Sequence, residues 1–512
     1  MQTNGQSRLL ALAPTVLAVV AVANIAITAS LCFNHINFPL NLDLMEGTVL
    51  QHVQRAAAGL PIYPAPTPEY VPLAYNPLFY VLALPFTWIL GLHLSTLRLV
   101  GILGYAVSGV VIYRVVRRRT TSAWWGLMAA GLFAAAYSVM DVYLDTAHSD
   151  SWLIAAVLLG SCAIGTNRSR LWDLAGVLLL VSSFWFKQHG ALFALGGLFF
   201  LTWRDGPRRA LPFWVVAGLL GPGLYVFVGP AIFGSHFHYF TWTVPRQWTE
   251  MTLHTFKRFF GYSGLFYPVL SLSAFFMLCR AAMDRRARIG IWHVQCVFAV
   301  LSGFMGALDG GSSRNVYIAM GTFFILLGTL GLHELANRPL VRRHGLQYLG
   351  LLLSFAVFSY NPFRVAVSAR AESSCADLIQ MLRGLGGTVY APSLGQLEKD
   401  FVLYPAAHWV ALEDMIRGPG RDTRNQPLTR RLLAPALKPA GPAFILANYR
   451  LEGDDFFPSH LRFLLDDYVL DADLADRFEP LRCLRKRFDH GWPRYLYRYA
   501  PAEAAARAAS GR

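Results

Sequence analysis

The sequence predicts an α-helical polytopic membrane protein with a small α/β domain after its last span. Three observations carry that expectation. Of 512 residues, 55% are hydrophobic and only 15% are charged, where soluble globular chains carry about 25% charged residues. The mean hydropathy is positive, at +0.40. Apolar runs of spanning character recur from residue 9 to residue 360 and then stop. That balance argues against a soluble enzyme, a disordered chain and a fibrous protein.

Residues 9–31 form the first run, preceded by Arg8 and uninterrupted by charge. The run exceeds the apolar core of a secretory signal, so an uncleaved anchor is expected rather than cleavage near Ala29-Ser30. Further spans are expected at 96–116, 122–140, 151–166, 171–187, 190–203, 210–233, 261–279, 290–308, 315–333 and 345–360, about eleven in all. Residues 77–93 are apolar as well, with Pro85 in the middle. If they crossed the membrane, every later loop would invert. Laid along the interface, with Tyr75, Tyr80 and Trp88 at headgroup level, they leave seventeen arginines in cytoplasmic loops. Only seven Lys or Arg then lie in outer loops before residue 361. Positive residues concentrate on the cytoplasmic side, so the interfacial placement is preferred. The N-terminus is then cytoplasmic and the C-terminal domain periplasmic.

The formal charge of +15 has the same origin. The arginines sit in short clusters between apolar runs, as in Arg117-Arg118-Arg119, which reads as topology rather than nucleic-acid binding. The six cysteines show no metal spacing. Cys375 and Cys483 lie in the tail, whose expected compartment permits a disulfide between them.

From residue 361 the chain is charged and punctuated by Pro and Gly. Residues 387–391 and 443–447 read as short buried strands, and 371–385 and 428–437 as helices. Two domains follow: a membrane module over 1–360, with a long first outer loop at 32–95, and a soluble domain over 361–512. The tail shows no clustered acid–base set. It is expected to shape acceptor access and do no chemistry.

Most polar residues before the tail collect on the outer face. Asp43 and Glu46 are three apart and would share a helical face. Such a pair can act as base and hydrogen-bond partner, can hold a cation, or can simply be solvated acids at a helix start. Asp141, Asp145, His148 and Asp150 occupy the second outer loop, where Asp150 could be an N-cap. Lys187-Gln188-His189-Gly190 follows the fifth span. Its lysine suits a phosphate as a point charge, or snorkels to the interface. His236, His238, Tyr239 and Arg246 suit a sugar ring and a phosphate, or make an ordinary aromatic belt. Asp309-Gly310-Gly311-Ser312-Ser313-Arg314 lets backbone approach a ligand, or makes a tight turn. No Walker A, Rossmann, HExxH or GxSxG pattern is present.

In these motifs the chain resembles the GT-C glycosyltransferases. The branch is that of protein O-mannosyltransferases, lipid A aminoarabinose transferases and lipopolysaccharide-core sugar transferases. The resemblance covers roughly residues 8–335. It runs through Asp43, Glu46 and Gly47, then Gly59 and Tyr63, then Tyr75-Asn76-Pro77-Leu78. It continues through Gly91, Arg98, Asp150, Lys187-Gln188-His189-Gly190, His238-Tyr239-Phe240 and Arg246. It implies sugar transfer from a polyprenyl-phosphate donor to a lipid, glycan or protein acceptor, at the periplasmic face of a bacterial inner membrane. Asp43 falls at the acceptor-activating base, with Glu46 as its helper. Lys187, Arg246, His238, Tyr239, Asp150 and Arg314 form the donor-binding set. The resemblance leaves any metal site unknown and a divalent cation open. Two departures stand out. Leu44 and Met45 separate acids that relatives often carry side by side, and Asn76 stands where some relatives place a phosphate-binding lysine.

Two other classes compete. A lipid or glycan flippase would show paired halves with broken spans at matching positions. An O-antigen ligase or polymerase would carry its large functional loop late in the chain. Here the long acidic loop comes first and has no counterpart in the second half.

Overall fold

A computed structural model describes residues 3–166, 169–283, 289–309, 311–394, 403–417, 426–437, 441–454, 456–482 and 492–509. The chain is a multi-pass helical membrane protein with a small α/β domain at its C-terminal end. The helices of the first half are α1 (Thr3–Ile36), α2 (Glu46–Ala57), α3 (Leu78–Leu90), α4 (Leu94–Thr120), α5 (Ala123–Ala135), α6 (Asp150–Gly165), α7 (Arg170–Phe186) and α8 (Ala191–Asp205). An apolar helical segment occupies each expected span.

Length and apolarity admit four of these as crossings, Ala11–Ile36, Leu94–Thr120, Pro207–Phe233 and Arg314–Ala336, or six if each of two bent pairs counts as one. Several others are shorter: α6 has 16 residues, about 24 Å at 1.5 Å per residue, against a hydrocarbon core of about 30 Å. The expected span 261–279 is not straight. Leu253–Phe266 and Pro268–Met283 meet at 99°. Pro268 lacks an N–H, and a residue before proline is pushed out of the helical region. Segment 77–93 becomes α3, 13 residues long like α5 and about 20 Å by the same rise.

Helices α6 and α7 pack at Gly160 and Gly176, where a Cβ on either would lie 2.8 Å from the other's carbonyl oxygen. Small residues are how membrane helices approach closely without a hydrophobic drive. Gly101 does the same for the site, since its Cα faces the Thr146 carbonyl so closely that no Cβ fits.

The C-terminal domain holds a five-stranded sheet in the order β2-β1-β3-β5-β4. The strands are β1 (Val389–Tyr390), β2 (Leu403–Tyr404), β3 (Phe444–Ala447), β4 (Tyr468–Asp473) and β5 (Tyr495–Tyr499). β1 runs parallel to β2 and β3, and β5 runs antiparallel to β3 and β4. Helix Ala369–Gly384 buries Cys375, Leu378 and Leu382 against Val389, Leu446 and Leu496. Phe38, Leu40 and Leu42, in the loop between α1 and α2, belong to this same core. Cys483, which the compartment would permit to pair with Cys375, lies outside the described residues.

Candidate functional site

The loop between α1 and α2 is fixed by a buried ion pair. Glu46 opens α2, and Arg98 lies one turn into α4. Arg98 Nε donates to Glu46 Oε1 at 2.8 Å and Nη2 to Oε2 at 2.6 Å. The other donors reach the carbonyls of His35, Phe38 and Leu40. All five N–H groups are therefore used. Glu46 also accepts from Leu42 N at 2.7 Å and Ala147 N at 3.1 Å. Each of its oxygens accepts twice, so nothing remains to orient an acceptor. In this arrangement the carboxylate, expected as a helper to Asp43, holds the loop to α4 and to Ala147.

Asp43 lies just outside α2, so the two acids do not share a helical face as expected. Its Oδ1 accepts from Met45 N at 2.5 Å, a turn in which the side chain replaces a backbone acceptor. Asp43 is almost fully buried. His408 of the C-terminal domain stands close enough to feel its charge. Burial holds the His408 imidazole down at about 3, with the Asp43 charge pulling the other way. His408 is therefore neutral at pH 7.

The start of α6 and the end of α7 meet in another buried group. Lys187 Nζ reaches Asp150 Oδ1 at 2.8 Å and Oδ2 at 2.9 Å. His148 Nδ1 lies 2.5 Å from Asp150 Oδ2. Asp150 is the first residue of α6 and makes no cap; its charge goes to Lys187 and His148. Asp150 thus takes two of the three N–H donors of the lysine. Lys187 also sits 4.8 Å over the Tyr75 ring. Met45 joins this group to Asp43: its Sδ is 3.4 Å from His148 Nε2 and 3.7 Å from the Tyr75 hydroxyl.

Other expected donor-binding residues stand further off. His238 Nε2 bonds the Tyr225 carbonyl at 2.9 Å, Tyr239 packs edge-on against Phe240, and Arg246 is exposed. Among the described residues no contact joins these three to Asp150 or Lys187. The link is Gln188, whose Nε2 bonds the carbonyls of Ala74 and Thr241. Arg314 donates its backbone N–H to Asp141 Oδ2 at 3.0 Å and lays its guanidinium over Phe266. Asp141 and Val142 both take positive φ, at 62° and 63°. Such strain in a β-branched residue is held by its surroundings and collects at functional sites.

Sequence reasoning missed the contribution of the C-terminal domain. Helix Trp409–Ile416 and the residue after it pack against Trp248 and Asp309. Arg417 Nη2 is 3.2 Å from Asp309 Oδ2 and 3.7 Å from Asp414 Oδ1. Its guanidinium stacks 4.2 Å over Trp248, and Trp248 Nε1 donates to the Asp414 carbonyl at 3.1 Å. Burial pushes the Asp414 carboxyl up to about 7. Tyr75 lies within the field of Asp414, Asp150 and Asp309, which with its burial keeps the phenol protonated. Nothing in the tail's sequence marks these residues, because Asp309 and Trp248, which they meet, lie more than 100 positions away. Among the described residues no group of three or more His, Cys, Asp or Glu could hold a metal ion.

Directly after Tyr75 and Asn76, an apolar groove of about 260 Å³ runs between Pro77, Leu78 and Val81 on one side and Trp185, Leu224 and Ile232 on the other. Asn76 itself is buried and donates to the Phe184 carbonyl at 2.7 Å.

No family model matches the chain, and no curated protein matches it. Solved structures similar to it include ArnT from Cupriavidus metallidurans in the apo state, at 15% identity over 92% of this chain and 77% of that one, with a TM-score of 0.46. The same protein bound to undecaprenyl phosphate is similar at 15% identity over 96% and 78%, with a TM-score of 0.42. The Archaeoglobus fulgidus oligosaccharyltransferase in complex with Zn and sulfate is similar at 13% identity over 77% and 57%, with a TM-score of 0.44.

Proposed function

We propose that this chain is a GT-C type glycosyltransferase. It moves a sugar from a polyprenyl-phosphate donor to a lipid, glycan or protein acceptor at the periplasmic face of a bacterial inner membrane. The observation that carries the reading is a convergence. Asp43 and the Asp150–Lys187–His148 group meet around Met45 and Tyr75, beside an apolar groove that suits a lipid tail. The order of outer-loop motifs in the sequence points the same way.

In this reading the acceptor hydroxyl or amine attacks the anomeric carbon on the face opposite the donor phosphate. The new bond forms as the bond to the phosphate oxygen breaks, and the phosphate leaves with the electron pair. The acceptor proton passes to the Asp43 carboxylate, and the anomeric configuration inverts. General-base assistance of this kind contributes about 10²–10⁴-fold. The test is sugar transfer by purified full-length protein in nanodiscs, supplied with a set of polyprenyl-phosphate monosaccharides and membrane-extract acceptors. Transfer that depends on the chain and falls with Asp43→Asn supports the reading. Lack of any chain-dependent transfer across the set sinks it.

A further inference from the structure

We propose that the small cavity between α2, the entry to α3 and the entry to α6 is a binding site for one neutral hydroxyl oxygen, that of a single ordered water. The cavity measures about 10 Å³ of space open to a water-sized sphere. That is room for one water and for nothing larger. Val49, Asn76, Tyr80, His148 and Ser149 are among the residues that line it.

Two of these wall residues bring polar atoms that nothing else satisfies. Asn76 is 1% exposed and Tyr80 is 2% exposed. Asn76 Oδ1 and the Tyr80 hydroxyl are both buried, and neither has a hydrogen-bond partner among the described residues. The other end of the Asn76 amide decides which atom is left over. Its Nδ2 donates to the Phe184 carbonyl at 2.7 Å, and a flipped amide would set two oxygens against each other there. The remaining atom is therefore an acceptor. The Tyr80 ring lies against His52, with centroids 4.8 Å apart, which holds the phenol in place. Its hydroxyl can donate as well as accept. Ser149 adds a second hydroxyl to the wall. A water that donates to Asn76 Oδ1 and accepts from Tyr80 gains the two to four bonds that buried waters make, whereas cavities that stay dry are apolar. No Asp, Glu, Lys or Arg lines the space, so it suits a neutral oxygen rather than an ion.

The location gives the water a positioning role. Asn76 ties the entry of α3 to Phe184, in the last turn of α7 just before Lys187. The water holds the free end of that amide. Across the cavity, His148 touches Asp150, the partner of Lys187. Pro77 and Leu78, directly after Asn76, line the apolar groove. The water thus sits where the groove and the Asp150 group meet. It does not depend on the donor reading above.

The experiment is a cryo-EM map of the full-length protein in nanodiscs, at a resolution that shows ordered water. One rounded density should lie about 2.5–3.0 Å from both Asn76 Oδ1 and the Tyr80 hydroxyl. A map that shows water at other buried polar groups but none here overturns the proposal. Thermal unfolding of Tyr80→Phe gives an independent reading by its sign. With the water in place, the variant removes one of its partners and the midpoint should fall. In a dry cavity the variant would remove a buried hydroxyl that bonds nothing, and the midpoint would rise. A fall supports the water site, and no change or a rise overturns it.

Discussion

Lys187 sits on Asp150 with both carboxylate oxygens within 2.9 Å, and neither side chain is more than 4% exposed. Removing one partner of such a pair strands a buried charge, which costs about 3–5 kcal/mol. Lys187→Met and Asp150→Asn should therefore each lower the unfolding temperature sharply. The double variant should lose much less than the sum, because no charge is left alone. Additive losses in thermal unfolding would show that the two residues do not neutralise each other.

The two acids of the first loop should separate by readout. Asp43→Asn keeps shape and should abolish most turnover, about 10²-fold or more, with an unchanged unfolding temperature. Glu46→Gln leaves Arg98 without its charge partner and should destabilise by about 3–5 kcal/mol. Paired measurements of transfer rate and thermal unfolding check this. A stable but inactive Glu46→Gln protein would place Glu46 in the chemistry.

Asp414 predicts a pH signature. Its folded value of about 7 lies above its ordinary 3.8. Between those values the folded protein binds a proton that the unfolded chain does not, so this group's contribution to stability falls as pH rises from about 4 to about 7, then levels. His408 works oppositely: held at about 3 rather than 6.5, it costs stability as pH falls below its unfolded value. Comparing Asp414→Asn with wild type isolates the first effect. The variant's gain in unfolding temperature should be larger at pH 8 than at pH 5. An equal difference at both would mean the carboxyl is not displaced.

Gly101→Ala tests the seat of the second loop. Its Cβ would lie 2.4 Å from the Thr146 carbonyl oxygen, which is backbone and cannot rotate away. The helix or the loop must shift, and Ala147 N, next along the loop, is bonded to Glu46. We expect a loss of 1–3 kcal/mol, as in overpacking elsewhere, with turnover falling further than stability alone explains. Wild-type behaviour would show that the loop tolerates displacement.

Orientation has a direct check. A reporter fused after residue 512 that is active only in the periplasm should be active. Activity of a cytoplasmic reporter there would put α3 across the membrane and reverse every later loop.

Much of this was legible in the sequence. Apolar runs marked the long helices of the membrane module but not the polar α2; β1 and β3 fell within their expected windows, and helix Ala369–Gly384 overlapped its own. Asp43, Asp150 and Lys187 were legible as polar residues at the ends of apolar runs. Their pairing was not. Arg98 meets Glu46 across 52 positions and Lys187 meets Asp150 across 37, and which charges neutralise one another is decided by packing that periodicity does not report. For the same reason the partner of Lys187 and the place of Arg417 went unseen. The bend at Tyr267 was missed because the apolar run continues unbroken through Pro268, and apolarity outweighed the proline.

Phe38, Leu40 and Leu42 are built into the hydrophobic core of the C-terminal domain, one residue short of Asp43. The two halves of this protein therefore cannot be inherited, exchanged or truncated as separate modules. A chain cut at residue 360 would leave those three side chains facing water, and the strand of loop that seats the carboxylate would lose its anchor. A C-terminal domain produced alone would lack part of its own interior. Any natural variation that remodels the domain must keep a socket for that tripod, so the surface toward the first loop should tolerate less change than the surface facing away.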